Sequence, residues 1–168
     1  MALTTEFSFR VAGSITKTLG ALSGLLKPDV QMSMALASGI LLDQADKMYY
    51  SRPTIAGSAT LSLDVATSGG LLDVFGDAFA IAKLKLLVIK SLLSLCPNTM
   101  NLTRPAAGVP LLGATGDLIS ILPGGALVWI APSLAGVPVT ATTADLIEIV
   151  NTAAGNVQPE ILIIGASA

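Results

Sequence analysis

The chain alternates apolar and polar residues with period two over several short stretches, the spacing of a half-buried β-strand. Residues 5–11 put Phe7, Phe9 and Val11 on one side and Ser8 and Arg10 on the other. Residues 30–36 repeat the pattern with Val30, Met32, Met34 and Leu36, a stripe expected to face the core. Residues 58–65 set Leu61, Leu63 and Val65 against Ser62 and Asp64. Further strands are expected at Lys47–Ser51, Met100–Thr103, 145–150 and 160–164. Residues 81–95 are apolar almost throughout, broken by Lys83, Lys85 and Lys90. As a strand, Leu84, Leu86 and Val88 would face one way and Leu87 and Ile89 the other, as in a central strand or one covered by a neighbouring subunit.

The stretch between Asp117 and Asp145 carries no charge at all. Its length and apolarity would suit a membrane span, but Pro123, Gly124 and Gly125 break it, and Pro132, Gly136 and Pro138 break it again. It therefore reads as strands at 118–122 and 126–131. Residues 71–79 space Leu72, Phe75 and Phe79 almost helically around Gly76, which predicts a short helical turn or a compact loop. Between residues 13 and 26 the apolar spacing is mixed, and Gly20 and Gly24 disfavour a helix. Turns are expected at 27–29 and 67–70. The sum is an all-β chain of about 8–10 short strands with little helix, folded as a single domain over residues 1–168. The architecture expected is a jelly-roll-like β-sandwich.

Composition sharpens this picture. Hydrophobic residues make up 52% of the 168 and charged residues 12%, against about 25% charged in ordinary soluble domains. So few charges on so apolar a chain predict that part of the outside is buried against copies or partners. The net charge of −2 offers no phosphate-binding stripe, so no nucleic acid partner is expected. The single Cys96 excludes an intrachain disulfide. The N-terminal residues lack the basic and apolar regions of a signal peptide, and synthesis in the cytoplasm of the producing cell is expected.

The sequence contains no histidine, which removes the usual general base, the Ser/His/Asp and Cys/His pairs and imidazole metal ligation. Cys96 follows an apolar run and reads as a small buried hydrophobe. Asp43 with Asp46, and Asp73 with Asp77, read as loop acids rather than a catalytic pair or a calcium loop. Gly69-Gly70 and Gly124-Gly125 lack the lysine and hydroxyl residue of a phosphate loop. Trp129 reads as a core or interface anchor. No catalytic residue, metal or cofactor is expected. The residues expected to form contact surfaces are Phe7, Phe9, Lys83, Lys85, Leu87, Ile89 and Trp129.

The last third, Leu122-Pro-Gly-Gly-Ala-Leu-Val-Trp-Ile-Ala-Pro132, then residues 139–151 and 161–167, resembles small virion proteins of tailed bacteriophages. The shared features are a Pro-Gly-Gly turn into an apolar strand, a Thr-rich turn before an Asp-Leu strand, and an Ile-Ile-Gly closing strand. The resemblance implies a capsid decoration or cement protein of jelly-roll-like fold. It implies an oligomer at the virion surface whose partners are the major capsid protein and copies of itself. A virion module recognising a host receptor or glycan is the alternative, and a membrane-active role is disfavoured by the Pro and Gly breaks.

Overall fold

The computed structural model describes residues 3, 5–12, 15–19, 22–26, 29–67, 70–73, 75–133 and 135–168, with the side chains of all of these except Phe9, Val11, Val30, 15–19 and 22–26. Among the described residues there are sixteen strands and no helix. The first four are β1 (Thr5–Ala12), β2 (Ile15–Leu19), β3 (Leu22–Leu26) and β4 (Asp29–Ser38). Next come β5 (Gln44–Ala45), β6 (Lys47–Ser51), β7 (Thr60–Asp64), β8 (Leu71–Leu72) and β9 (Ala78–Phe79). The chain continues with β10 (Lys83–Lys90), β11 (Met100–Thr103), β12 (Leu118–Ile121) and β13 (Ala126–Ile130). It ends with β14 (Val137–Pro138), β15 (Leu146–Asn151) and β16 (Glu160–Ala166).

Two antiparallel sheets make the body. One runs β13-β10-β16-β6, with β14 also paired to β10, and the other runs β12-β11-β15-β7. They share one core: Leu87, Ile89, Ile161 and Ile163 from the first sheet pack with Met100, Leu102, Ile147 and Ile149 from the second. All eight are almost completely buried, each stabilising the fold by about 1.5–3 kcal/mol. The second sheet alternates cleanly, as a sheet with one solvated face does. Its inner row holds Ile119, Leu102, Ile149 and Leu61, and a neighbouring outer row holds Ser120, Asn101, Val150 and Thr60. The all-β sandwich expected from the sequence is what forms.

The expected central strand is β10, but its facing is altered by a bulge. The register with β16 slips between Leu84 and Leu86, leaving Lys85 as the extra residue. Leu84 consequently joins the inner core with Leu87 and Ile89, while Leu86 faces out. A bulge places two residues of one strand opposite one of its partner and re-aims the side chains around it. Strict alternation had put Leu84 and Leu86 on the same side.

Other expectations are refined. Leu71–Leu72 and Ala78–Phe79 pair as β8 and β9, so of the helical turn or compact loop expected here the loop is the one that forms; Asp73 Oδ1 accepts from the Phe75 and Asp77 amides at 2.8 and 2.9 Å and closes it. The methionine stripe is not core throughout: Leu36 is fully buried, Met34 half-buried and Met32 45% exposed. Ile15–Leu19 and Leu22–Leu26 form the paired strands β2 and β3, which mixed spacing did not predict. Lys27, Pro28, Ser68 and Gly69, expected in turns, lie outside the described residues.

The loop at residues 56–58 is pressed on the 153–155 backbone, where the Ser58 amide donates to the Ala153 carbonyl at 2.8 Å. A Cβ on Gly57 would sit 1.8 Å from the Ala154 carbonyl oxygen, whereas one on Gly70 would meet nothing nearer than 3.5 Å. Gly57→Ala is expected to destabilise by about 1–3 kcal/mol or more, and Gly70→Ala to stay within about 0.5 kcal/mol. Urea unfolding of both variants checks this; equal midpoints would contradict it.

Candidate functional site

The outer face of the five-stranded sheet is the unusual surface of the molecule. Register places Ile130, Leu86, Ile164 and Met48 in one outward row across four strands. The next row is Val128, Val88, Leu162 and Tyr50. Beyond it lie Ala126, Lys90 and Glu160. The first row is covered by the chain itself: Leu86 and Ile164 are buried in a second cluster with Leu3, Leu36 and Ala45. The second row is covered only in its middle, with Val128 38% and Tyr50 44% exposed at its ends.

The cover comes from the N-terminal strands. β1 pairs with β4 from Thr5↔Leu36 to Ala12↔Asp29, and β2 with β3 from Ile15↔Leu26 to Leu19↔Leu22. β2 and β3 keep the register of β1 with β4, and the two longer strands, β1 and β4, form a ribbon over residues 5–12 and 29–36. It is fastened at its root, where the end of β4 pairs with β5 and the Ala37 amide donates to the Asp43 carbonyl at 3.0 Å. A groove of about 500 Å³ separates β4 from the end of β13, lined by Met32, Met34, Asp43, Ile130 and Pro132.

Electrostatics fence the apolar rows on one side. Glu160 pairs with Arg52, and its Oε2 lies 3.5 Å from Lys90 Nζ. Tyr50 donates to Glu160 Oε1 at 3.3 Å. The Arg52 hydrogen bond, more than its charge or that of Lys90, holds the Glu160 carboxyl below the usual range. On the opposite side Lys85 is wholly buried in the bulge, donating to the Ser133 carbonyl. Burial pushes its pKa down, Lys83 adds to the effect, and Asp43 opposes it.

The residues expected from the sequence to make contacts divide sharply. Phe7 sits half-buried opposite Met34 on the ribbon, and Lys83 is half-buried. Phe9 pairs with Met32, its side chain being outside the described set. Leu87 and Ile89 have no exposure and belong to the sandwich interior, and Lys85 is equally inaccessible. These three cannot meet a partner while the sandwich is folded. Trp129 is half-buried on the inner side, opposite Leu87. The outward face of β10 is the other one, where Leu86 is buried under the chain's own Leu3, Leu36 and Ala45 and Val88 is half-buried. Tyr50, Val128 and Leu162, not singled out from the sequence, share the outward row with Val88.

The loop acids act locally. Asp46 accepts from the Ser167 amide at 2.8 Å and hydroxyl at 2.5 Å, tying the last residues to the β5–β6 link. Burial pushes Asp64 up, but hydrogen bonds from Thr67 and the Ala66 amide outweigh it and hold the group low. Among the described residues no group of three or more His, Cys, Asp or Glu could hold a metal ion, and no helix is long and apolar enough to cross a membrane.

Because Glu160 is depressed in the folded state, its contribution is present above the unfolded carboxyl pKa of about 4.3 and lost as pH falls through the lower folded value. Glu160→Gln is expected to reduce stability near neutral pH and to flatten the decline below about pH 4.3. Thermal melts across pH 2–7 check it; parallel curves for the two proteins would contradict it.

No family model, curated protein or solved structure matches this chain.

Proposed function

We propose that this chain is a structural protein of a bacteriophage virion, a decoration or cement protein that binds the head shell and strengthens it as an oligomer. The observation that carries the reading is the apolar outer face of the five-stranded sheet, beside a second sheet whose outer face is mostly polar, with Val150 and Leu118 among Ser, Thr, Asn and Glu. A sheet apolar on both faces belongs to a layer covered on both sides. Here the cover from the chain itself reaches only the middle of the second row and leaves Val128 and Tyr50 at its ends exposed.

The strand order supports a jelly roll. Numbering the body strands β6, β7, β10, β11, β12, β13, β15 and β16 from first to eighth, one sheet runs first-eighth-third-sixth and the other second-seventh-fourth-fifth. First pairs with eighth, second with seventh, third with sixth and fourth with fifth, as when one long hairpin is rolled up. Jelly rolls serve as viral capsid and lectin domains alike, so the fold by itself does not choose between shell cement and a receptor- or glycan-binding module. The broad apolar face favours the first, since glycan sites are built from placed polar groups and aromatic platforms. The partners in this reading are the major capsid protein and further copies of the chain, at the virion surface.

Purified protein mixed with shells that lack it is expected to co-sediment with them and to raise their resistance to heat or osmotic shock. A map of decorated shells is expected to show copies at symmetry-related positions. Failure to bind any shell, together with binding to a glycan array or to host cells, would transfer the assignment to the receptor-binding alternative.

A further inference from the structure

The link between β4 and β5 carries three consecutive aliphatic residues in the open. Ile40 is 39% exposed and Leu41 and Leu42 are 58% exposed each, yet the turn that holds them is closely bonded. The Ala37 amide donates to the Asp43 carbonyl at 3.0 Å and the Gly39 amide to the Ala45 carbonyl at 3.1 Å. The Leu41 amide donates to Gln44 Oε1 at 3.1 Å, and the Gln44 amide returns to the Leu41 carbonyl at 3.2 Å. The three side chains form a prong fixed in advance, which loses little conformational freedom on docking.

Beside the prong lies a recess of matching chemistry. The groove of about 500 Å³ between β4 and the end of β13 is lined by Met32, Met34, Ile130 and Pro132, with Asp43 as its charged member. Asp43 joins the two features: it follows the prong, lines the groove, and its amide donates to the Pro132 carbonyl at 3.3 Å. None of Ile40, Leu41 and Leu42 contributes to the lining, so the chain does not fill its own groove. Met32 stays 45% exposed there, and Val128, two residues before Ile130, 38%. Among the described residues β13 pairs only with β10, which leaves this side of the sheet open.

We propose that the Ile40–Leu42 prong docks in the Met32–Met34–Ile130–Pro132 groove of a second copy of the chain, each copy giving its prong and receiving the other's. Three observations select this occupant. A knob and a socket side by side on one surface are self-complementary, because a two-fold axis between them seats both prongs at once in a closed dimer. The chemistry leaves nothing unpaired. The prong brings no charged or hydrogen-bonding side chain, the thioethers of Met32 and Met34 adapt to branched aliphatic groups, and Asp43 already acts on Lys85 of its own chain. The area is sufficient. Half of a large apolar side chain is about 100 Å², so Ile40, Leu41, Leu42 and Met32 with the groove walls give about 500 Å² per copy. The total of about 1,000 Å² is the lower bound for a specific interface, which fits a dimer that separates on dilution.

This inference rests on the self-assembly half of the proposed function and is separable from shell binding. Sedimentation velocity and light scattering over a dilution series are expected to show the full chain exchanging between one-chain and two-chain species. Leu41→Glu in the prong and Met32→Glu at the groove are each expected to raise the dissociation constant at least tenfold. Leu93→Glu, at a residue 69% exposed outside the patch, is expected to leave it unchanged. Contact is read directly by mixing Leu41→Cys with Met32→Cys under mild oxidant, which is expected to give a disulfide-linked pair of chains; Cys96 is fully buried and contributes none. A full chain that stays single at every concentration overturns the proposal, as does a dissociation constant that neither the Leu41 nor the Met32 glutamate variant moves. Should those variants not fold, the cysteine pair decides, and the absence of a cross-link between the two positions overturns it. Dimers formed through this patch by a protein with no affinity for shells would leave this inference standing and overturn the shell reading alone.

Discussion

The structure depends on a sheet that is apolar on both faces. β10 and β16 send Leu87, Ile89, Ile161 and Ile163 into the sandwich and Leu86, Val88, Leu162 and Ile164 out of it. The inner set is satisfied by the second sheet. The outer set cannot be left in water without forfeiting the same hydrophobic gain per residue that holds the interior together. The described N-terminal residues meet part of that requirement. Leu3, Leu36 and Ala45 lie over the first outer row with zero to 7% exposure, and the β4–β5 pairing fixes them there.

The bulge at Lys85 reconciles this two-sided burial with the path of the chain. It lets Leu84 enter the interior at the rim of the sheet while Leu86, two residues on, faces out. Its neighbours are shaped to suit. A Cβ on Gly165 would lie 2.6 Å from the Lys83 carbonyl oxygen and 2.8 Å from Ile81 carbons, and one on Gly136 would lie 2.8 Å from the Leu84 carbonyl oxygen. Gly136 also has a φ of +58°, in the left-handed region that favours glycine. The extra residue is a lysine whose ammonium reaches the Ser133 carbonyl, so the 132–138 loop is fastened to the same irregularity. Charge in this position is tolerable because a carbonyl receives it; an apolar residue would leave that loop without the tie.

Much of the body was legible in the sequence because period two survives wherever one face is wet. Residues 58–65 are an instance: Leu63 and Val65 are buried and Leu61 half-buried, as alternation requires. Legibility failed where the period no longer reports the facing. In 81–95 both faces are apolar, so nothing in the sequence marks the slip at Lys85 or separates Leu86 from Leu84. In residues 71–79 the near-helical spacing was accidental: Asp73 closes a tight loop through its carboxylate, a local geometry that competes with helix. In the N-terminal ribbon the interruption at residues 13–14 hid a register that the pairing of Ile15 with Leu26 preserves. The facing of Leu87 and Ile89 was illegible for a related reason: Leu84, Leu86 and Val88 of the same strand are comparably apolar, and apolarity alone cannot tell one face from the other.

That last distinction bears on how so apolar a chain stays a defined object. Of the twenty charged residues, nine basic and eleven acidic, five form the ion pairs that bound the apolar surface. Arg52, Glu160 and Lys90 close the outer face on one side, and Arg10 with Asp29 marks the polar side of the ribbon. Between these limits the apolar surface is continuous from the sheet onto the ribbon through Met34 and Ile130, which both pack on the buried Leu36 cluster. A continuous patch bounded by ion pairs has a defined shape and register, which random hydrophobic association lacks. The placement of these few charges, rather than their number, is what gives the apolar exterior its limits.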